Sequence, residues 1–121
     1  MWVYKQSTGE LSHDGQFISR GYAGHGEGKN NPAMQMVHDM GPLPRGRWRF
    51  AKPAYTHVTH GPVVMCLIPQ DGTETFGRTH FLCHGDSKEQ PGTASLGCMV
   101  QPRFAREQIA ASPDCELEVI A

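Results

Sequence analysis

Glycine and proline interrupt this chain so often that long helices have little room. There are 14 glycines and 9 prolines in 121 residues. Glycine admits backbone conformations closed to other residues, and proline removes an amide donor and fixes φ. Between these punctuation points the apolar residues follow a period of two. Arg47-Trp48-Arg49-Phe50 alternates cleanly, and Val63–Ile68 is an unbroken apolar run that reads as a central strand buried on both faces. Trp2–Gln6, Glu10–His13 and Gln16–Arg20 read as a meander, turned at Ser7-Thr8-Gly9 and at the hairpin dipeptide Asp14-Gly15. Thr79–His84 and Cys115–Ile120 add two further strands. Asn31-Pro32 is placed to cap a short helix to about Met36. Pro102 opens the one full helix, Arg103–Ala111, which stops before Pro113. Its Ala105 and Ile109 lie one turn apart and point to core packing. Tyr22–Lys29 is a glycine-punctuated loop, and Gly41-Pro42-Leu43-Pro44-Arg45-Gly46 is a rigid turn. The expected architecture is a single domain over residues 1–121, mainly β, as a sandwich or partly open barrel with one or two short helices.

Charge narrows the function classes. Eleven basic and twelve acidic residues give a net charge of −1. A polybasic nucleic-acid binder is thereby excluded as the main theme. The longest apolar run falls far short of the ~20 residues of a membrane span. Met1-Trp2-Val3-Tyr4-Lys5-Gln6 has no basic segment followed by an apolar stretch, so no signal peptide is expected. A chain of this kind is made in the cytoplasm, and work elsewhere would need a route other than general secretion.

Seven histidines and four cysteines are many for a chain of this size. Cys66, Cys83, Cys98 and Cys115 show no C-x-x-C spacing, so a zinc ribbon or thioredoxin motif is unsupported. Two disulfides would allow three pairings, and the sequence does not choose among them. Three of the four read as small buried apolar residues. The fourth, Cys98, follows Ser95-Leu96-Gly97 in a tight turn, and His84 ends a strand. A cysteine nucleophile needs a base to generate its thiolate and donors to hold an oxyanion. His84 is the candidate base. Backbone amides of Leu96, Gly97 and Cys98 are candidate donors, and Ser95 is placed to orient the base or shape the turn. A Cys–His pair of this type lowers a thiol pKa from about 8.5 toward neutral. His80 and His84 are four apart, but on a strand they would lie ~13 Å apart along one face, beyond the reach of one zinc ion. No metal or cofactor is expected. Cys83 points away from His84, toward the core. His57 and His60 lie in a loop, and His13, His25 and His38 are assigned to loops without chemistry.

His84-Gly85-Asp86 followed by Ser95-x-Gly97-Cys98 resembles the signature of L,D-transpeptidase (YkuD-type) catalytic domains, in which a His-Gly precedes Ser/Thr-His-Gly-Cys. The nearer resemblance is to the small branch used as type VI secretion effectors against bacterial cell walls. Gly21-Tyr22-Ala23-Gly24 with Gly26 and Asn30-Asn31-Pro32, then Gly41–Gly46, then Thr75-Phe76-Gly77-Arg78, also resemble that branch and occur in its order across roughly residues 1–120. The resemblance implies that Cys98 attacks the carbonyl of meso-diaminopimelate at its bond to the terminal D-alanine of a peptidoglycan stem, with His84 as base and acid. Water would complete an L,D-carboxypeptidase reaction. A free D-amino acid would give exchange, and a second stem a cross-link. It further implies a type VI carrier component, action in a target cell's periplasm, and a cognate immunity protein.

Two departures from the family pattern stand out. Position 96 is Leu where housekeeping enzymes have His, which favours the effector branch. Position 100 is Val where those enzymes carry Arg, leaving Arg103 as the nearest cation for a stem carboxylate. Gly85 and Asp86 are candidates to orient His84 or contact substrate. Asp86 also suits an Asx-turn after the strand. Tyr22 and His25 are candidates for a cleft wall, and Arg78 for either a cleft residue or a surface charge. The alternative from another class is a catalytically silent module of the same fold that binds cell wall or a secretion component.

Overall fold

A computed structural model describes all 121 residues. Nine strands form one curled sheet, an open half-barrel with a single helix on it. The strands are β1 (Trp2–Lys5), β2 (Glu10–His13), β3 (Gln16–Arg20), β4 (Gly46–Phe50), β5 (Tyr55–His57), β6 (Gly61–Pro69), β7 (Leu82–His84), β8 (Met99–Val100) and β9 (Glu116–Ile120). Their order is β3-β2-β1-β9-β4-β6-β7-β8, with β5 paired to β6 beside this path. Helix α1 (Arg103–Ala111) packs against β6. No helix is long and apolar enough to cross a membrane.

The meander forms as expected. Asp14 and Gly15 both take positive φ, 49° and 85°, the geometry that turns a two-residue hairpin with the natural strand twist. β9 then pairs in parallel with β1 and antiparallel with β4, so the last strand sits in mid-sheet. Cross-strand register lines up one apolar face. Leu11 lies opposite Tyr4, Tyr4 beside Val119, Trp2 beside Leu117, Leu117 opposite Trp48, and Phe50 opposite Leu67. These residues are buried and belong to one core with Met65, Cys83, Met99, Ala105 and Ile109. The other face of the same strands carries the ion pairs Arg49–Glu116 and Arg47–Glu118 and meets water.

Three expected elements differ. β6 is not buried on both faces throughout, because Ile68 is 47% exposed where it lies opposite Arg49 on the charged face. Thr79–Phe81 is not strand. His80 has φ of +63°, a left-handed turn, and β7 begins only at Leu82. The argument that placed His80 and His84 ~13 Å apart along one strand therefore does not describe this chain. The short helix after Asn31 is a single 3-10 turn, Pro32–Met34, with the Asn31 side chain accepting from the Ala33 amide at 3.2 Å.

Trp48 is the structural hub of the middle strands. It is fully buried, donates from Nε1 to the Pro44 carbonyl at 3.0 Å, and meets Phe81 edge-on with ring centroids 5.0 Å apart. Trp48→Ala is expected to cost about 3–5 kcal/mol of unfolding free energy, from lost burial and the cavity left behind. Urea titration of the two proteins checks this; a loss under about 1 kcal/mol would mean that the core collapses around the site.

Candidate active site

The pleat of β7 divides its residues between two environments. Cys83 is buried in the core beside Met65 and Met99, and the apolar surroundings push its thiol up to about 12. His84, the next residue, projects from the opposite face. β8 runs parallel to β7, with Cys83 beside Met99 and His84 beside Val100. Continued back by one residue, that register sets Cys98 alongside Leu82 and diagonal to His84, on the same face. Both side chains line a cleft of about 530 Å³. The sequence-predicted pair is thus brought to one cavity.

The Cys98 turn is held by Ser95. Its buried hydroxyl accepts from the Gly24 amide at 2.9 Å and the Gly97 amide at 3.0 Å, and donates to the Cys98 carbonyl at 2.7 Å. Ser95 therefore shapes the turn and does not orient His84. Because the Gly97 amide is committed to Ser95, it is not a free oxyanion donor. The amides of Leu96 and Cys98 have no protein acceptor and are the turn's open donors. Gly97 has φ of +148°, and a Cβ there would come within 2.3 Å of the Arg78 guanidinium. Arg78 is buried at 6% exposure and donates to the carbonyls of Gly41 and Pro42, each at 2.8 Å, and to those of Gln35 and Leu96. It is a cleft residue, but its donors are spent on backbone.

His84 lines the cleft and is fully buried. Its Nδ1 lies 2.7 Å from the Gly85 carbonyl, which only a protonated Nδ1 can satisfy, so in the neutral ring Nε2 carries the free lone pair. Nε2 has no partner. Burial holds the imidazole at a pKa of about 4. The Gly85 carbonyl opposes this, while His60, Arg106 and His57 add to it. The Cys98 thiol donates to the His80 carbonyl at 3.5 Å and makes no hydrogen bond to His84. Desolvation pushes it above the usual thiol range, against the pull of the Leu82 amide and the Arg78 charge. The expected lowering of this thiol toward neutral is thus absent in the resting chain. Without a bond to His84, nothing offsets burial enough to favour thiolate.

Several other candidates lie elsewhere. Asp86 accepts from the Tyr22 hydroxyl at 2.6 Å and from the amides of Ser87 and Gly92, so it closes a loop and does not polarise His84. Tyr22 also accepts from the Ala94 amide and bridges β8 through Val100, a structural post outside the Cys98 cleft. His25 is exposed and forms no part of that cleft. Arg103 pairs with Glu107 at 3.1 Å and lines the two neighbouring cavities instead. Gly85 acts through its carbonyl on His84, and its lack of Cβ admits the Arg106 guanidinium.

Sequence reasoning underrated three histidines. His38, His60 and His80 line the cleft with His84. His60 stacks on His84 with ring centroids 3.8 Å apart and planes 12° apart. Gly61-Pro62 before the apolar run Val63–Ile68 was the available signal, since it marks the turn of residues 58–60 that closes a hairpin between β5 and β6. His13 closes β2, stacks on Trp2 at 4.0 Å and pairs with Asp114. No family model, curated protein or solved structure matches this chain.

Two measurements follow from these shifts. His84 binds its proton in the unfolded chain near pH 6.5 and in the folded chain only near 4. Stability contributed by the neutral ring is present above about 6.5 and lost as pH falls toward 4, by on the order of 3 kcal/mol. Urea midpoints measured across that window should fall, and His84→Phe should flatten most of the decline. An equally steep decline in the variant would place the proton elsewhere. Iodoacetamide labelling of Cys98 in the free protein should rise only in the alkaline range, above the ordinary thiol value of about 8.5. A labelling plateau already present at pH 6 would contradict the resting geometry.

Proposed function

We propose that this chain is a cysteine L,D-carboxypeptidase and transpeptidase of the L,D-transpeptidase type, acting on peptidoglycan tetrapeptide stems. The observation that carries the reading is one cleft shared by Cys98, on its Ser95-Leu96-Gly97 turn, and a neutral His84 whose Nε2 lone pair is free. In the proposed reaction His84 Nε2 takes the Cys98 proton as Sγ attacks the meso-diaminopimelyl carbonyl. The oxyanion is met by the open amides of Leu96 and Cys98. The tetrahedral adduct breaks its bond to D-alanine, whose amine receives the proton from His84, leaving a thioester on Cys98. Water attacks the thioester with His84 again as base, releasing a tripeptide stem and the free thiol. A D-amino acid in place of water gives exchange, and a second stem gives a cross-link. The same reading assigns the protein to type VI delivery as an antibacterial effector, active in a target's periplasm and neutralised in its producer by an immunity protein.

One observation favours a second reading, a silent binding module of the same fold: the Cys98 thiol rests on the His80 carbonyl and not on a base. Incubation with purified tetrapeptide muropeptides separates the two. D-Alanine release is expected, with a loss of at least about 10³-fold in Cys98→Ser and about 10²-fold or more in His84→Ala. Muropeptide binding without release by the wild-type protein would favour the module. Expression directed to the periplasm is expected to damage a host, while cytoplasmic expression leaves it unharmed; equal toxicity in both places points to another target.

A further inference from the structure

The β5–β6 hairpin carries a feature that the reaction above does not use. Its turn places His60 face to face on His84, and the stack is fixed from outside. The Nδ1 of His57 accepts from the Thr59 amide at 3.0 Å and the His60 amide at 3.1 Å, closing the turn on its own side chain. The Arg106 guanidinium, from α1, donates to the carbonyls of Pro62 and Val63 at 2.8 and 3.0 Å and holds the strand just past the turn. His60 also lines a second cavity of about 720 Å³, which extends over Gly85 and Arg106 and does not reach His84. The His60 ring therefore stands in the wall between two cavities and covers the face of His84 that would otherwise meet the second one.

We propose that His60 is a positioning residue for His84: its stacked imidazole seals the His84 ring from the second cavity and fixes the ring plane, leaving Nε2 as the ring's one unpartnered polar atom. The role rests on the reading of His84 as the base. A single hydrogen bond, Nδ1 to the Gly85 carbonyl, fixes one point of the ring but not its plane. The second restraint comes from the stack. The titratable and charged groups around His84 are His60 and His57 from the hairpin, Arg106 from α1, and His38, Asp39, Arg78, His80 and Cys98 along the shared cleft; Asp86, two residues on, is turned to Tyr22. Burial also disfavours a charge on His60, and a neutral ring is the better platform for a neutral base.

The test follows His84 itself by NMR in histidine-labelled full-length protein, alongside D-alanine release, in His60→Ala, His60→Phe and His60→Gln. In His60→Ala, water entering from the second cavity should move the His84 titration midpoint up toward the ordinary value of about 6.5. The acidic limb of kcat/KM should move with it. The kcat should drop about tenfold or more while KM changes less than about threefold, the mark of lost orientation. His60→Phe restores a ring platform and should return the His84 midpoint to its low value and recover most of kcat. Gln keeps polarity without a ring, and its His84 midpoint should rise as in Ala. A His84 midpoint and tautomer unchanged in folded His60→Ala, or in His60→Gln should Ala not fold, would overturn the proposal. If wild-type protein releases no D-alanine while His84 responds to the variants as expected, the positioning role stands and the peptidoglycan reading falls.

Discussion

The buried Arg78 guanidinium is the contact on which the cleft depends. The cleft is built mainly from loops, and loops lack the ladder of hydrogen bonds that fixes a strand. One side chain supplies the missing tie. Arg78 donates to carbonyls of Gln35, Gly41 and Pro42 on one segment and of Leu96 on the other, so the Cys98 turn is fastened to the Gly41–Gly46 turn. Burial disfavours its charge, and the carbonyl dipoles meet that cost. The arrangement explains why Gly97 has no side chain: the space where a Cβ would sit is taken by the guanidinium. It also means that the one Arg or Lys in the cleft wall works on architecture, with its field reaching Cys98 as a secondary effect.

β7 turns that scaffold into a site. A strand of three residues between β6 and β8 can hold a core residue and a cleft residue side by side only because successive side chains alternate faces. Cys83 anchors the strand in the core through burial. His84 is then covered on its own face by His60 of the hairpin, and Arg106 from α1 packs against the adjoining Gly85. The mid-sheet strands β9 and β4 turn their second face to water and fill it with ion pairs. The place of β7 one strand from the sheet edge leaves room for a cleft.

Much of this was legible in the sequence. Period-two patterning with turn residues marked β1 to β4 and β9, and the proline-bounded segment marked α1 with its bounds intact. Those signals are local, and local chemistry decides them. What failed was set by tertiary contact. Thr79–Phe81 has strand composition, yet His80 takes a left-handed conformation and the strand begins only at Leu82, where β6 and β8 pair with it. Ile68 belongs to an apolar run but pairs beside Arg49 on the wet face, which no run of residues announces. The placing of Cys98 and His84 on one cleft was readable from motif order, whereas His60 was not: its position follows from β6 pairing with β7, which brings the start of the β5–β6 hairpin onto His84 from far along the chain. Arg103 shows the converse error, where proximity in sequence to Cys98 suggested a site residue and the helix carried its side chain to other cavities.

The charges at rest bear on how such a site would work. A thiol raised by burial opposite an imidazole held near 4 is a neutral pair, and proton transfer between them in the empty cleft runs uphill. An exposed cysteine with a protonated histidine would sit ready as an ion pair and would react with any small electrophile. Here charge separation becomes favourable only when something in the cleft stabilises it. The unbonded amides of Leu96 and Cys98 are donors that an oxyanion would engage and a resting thiol does not. On the proposed reading, the rise in thiol acidity is therefore a property of the substrate complex, because the negative charge passes from sulfur to an oxygen that those amides can hold. The low basicity of His84 suits the second half of the same step: an imidazolium formed in that buried position is a strong acid and gives its proton readily to a departing amine. On that reading, burial that handicaps attack assists leaving-group expulsion, and the proposed seal of the His84 ring by the hairpin would set the balance between them.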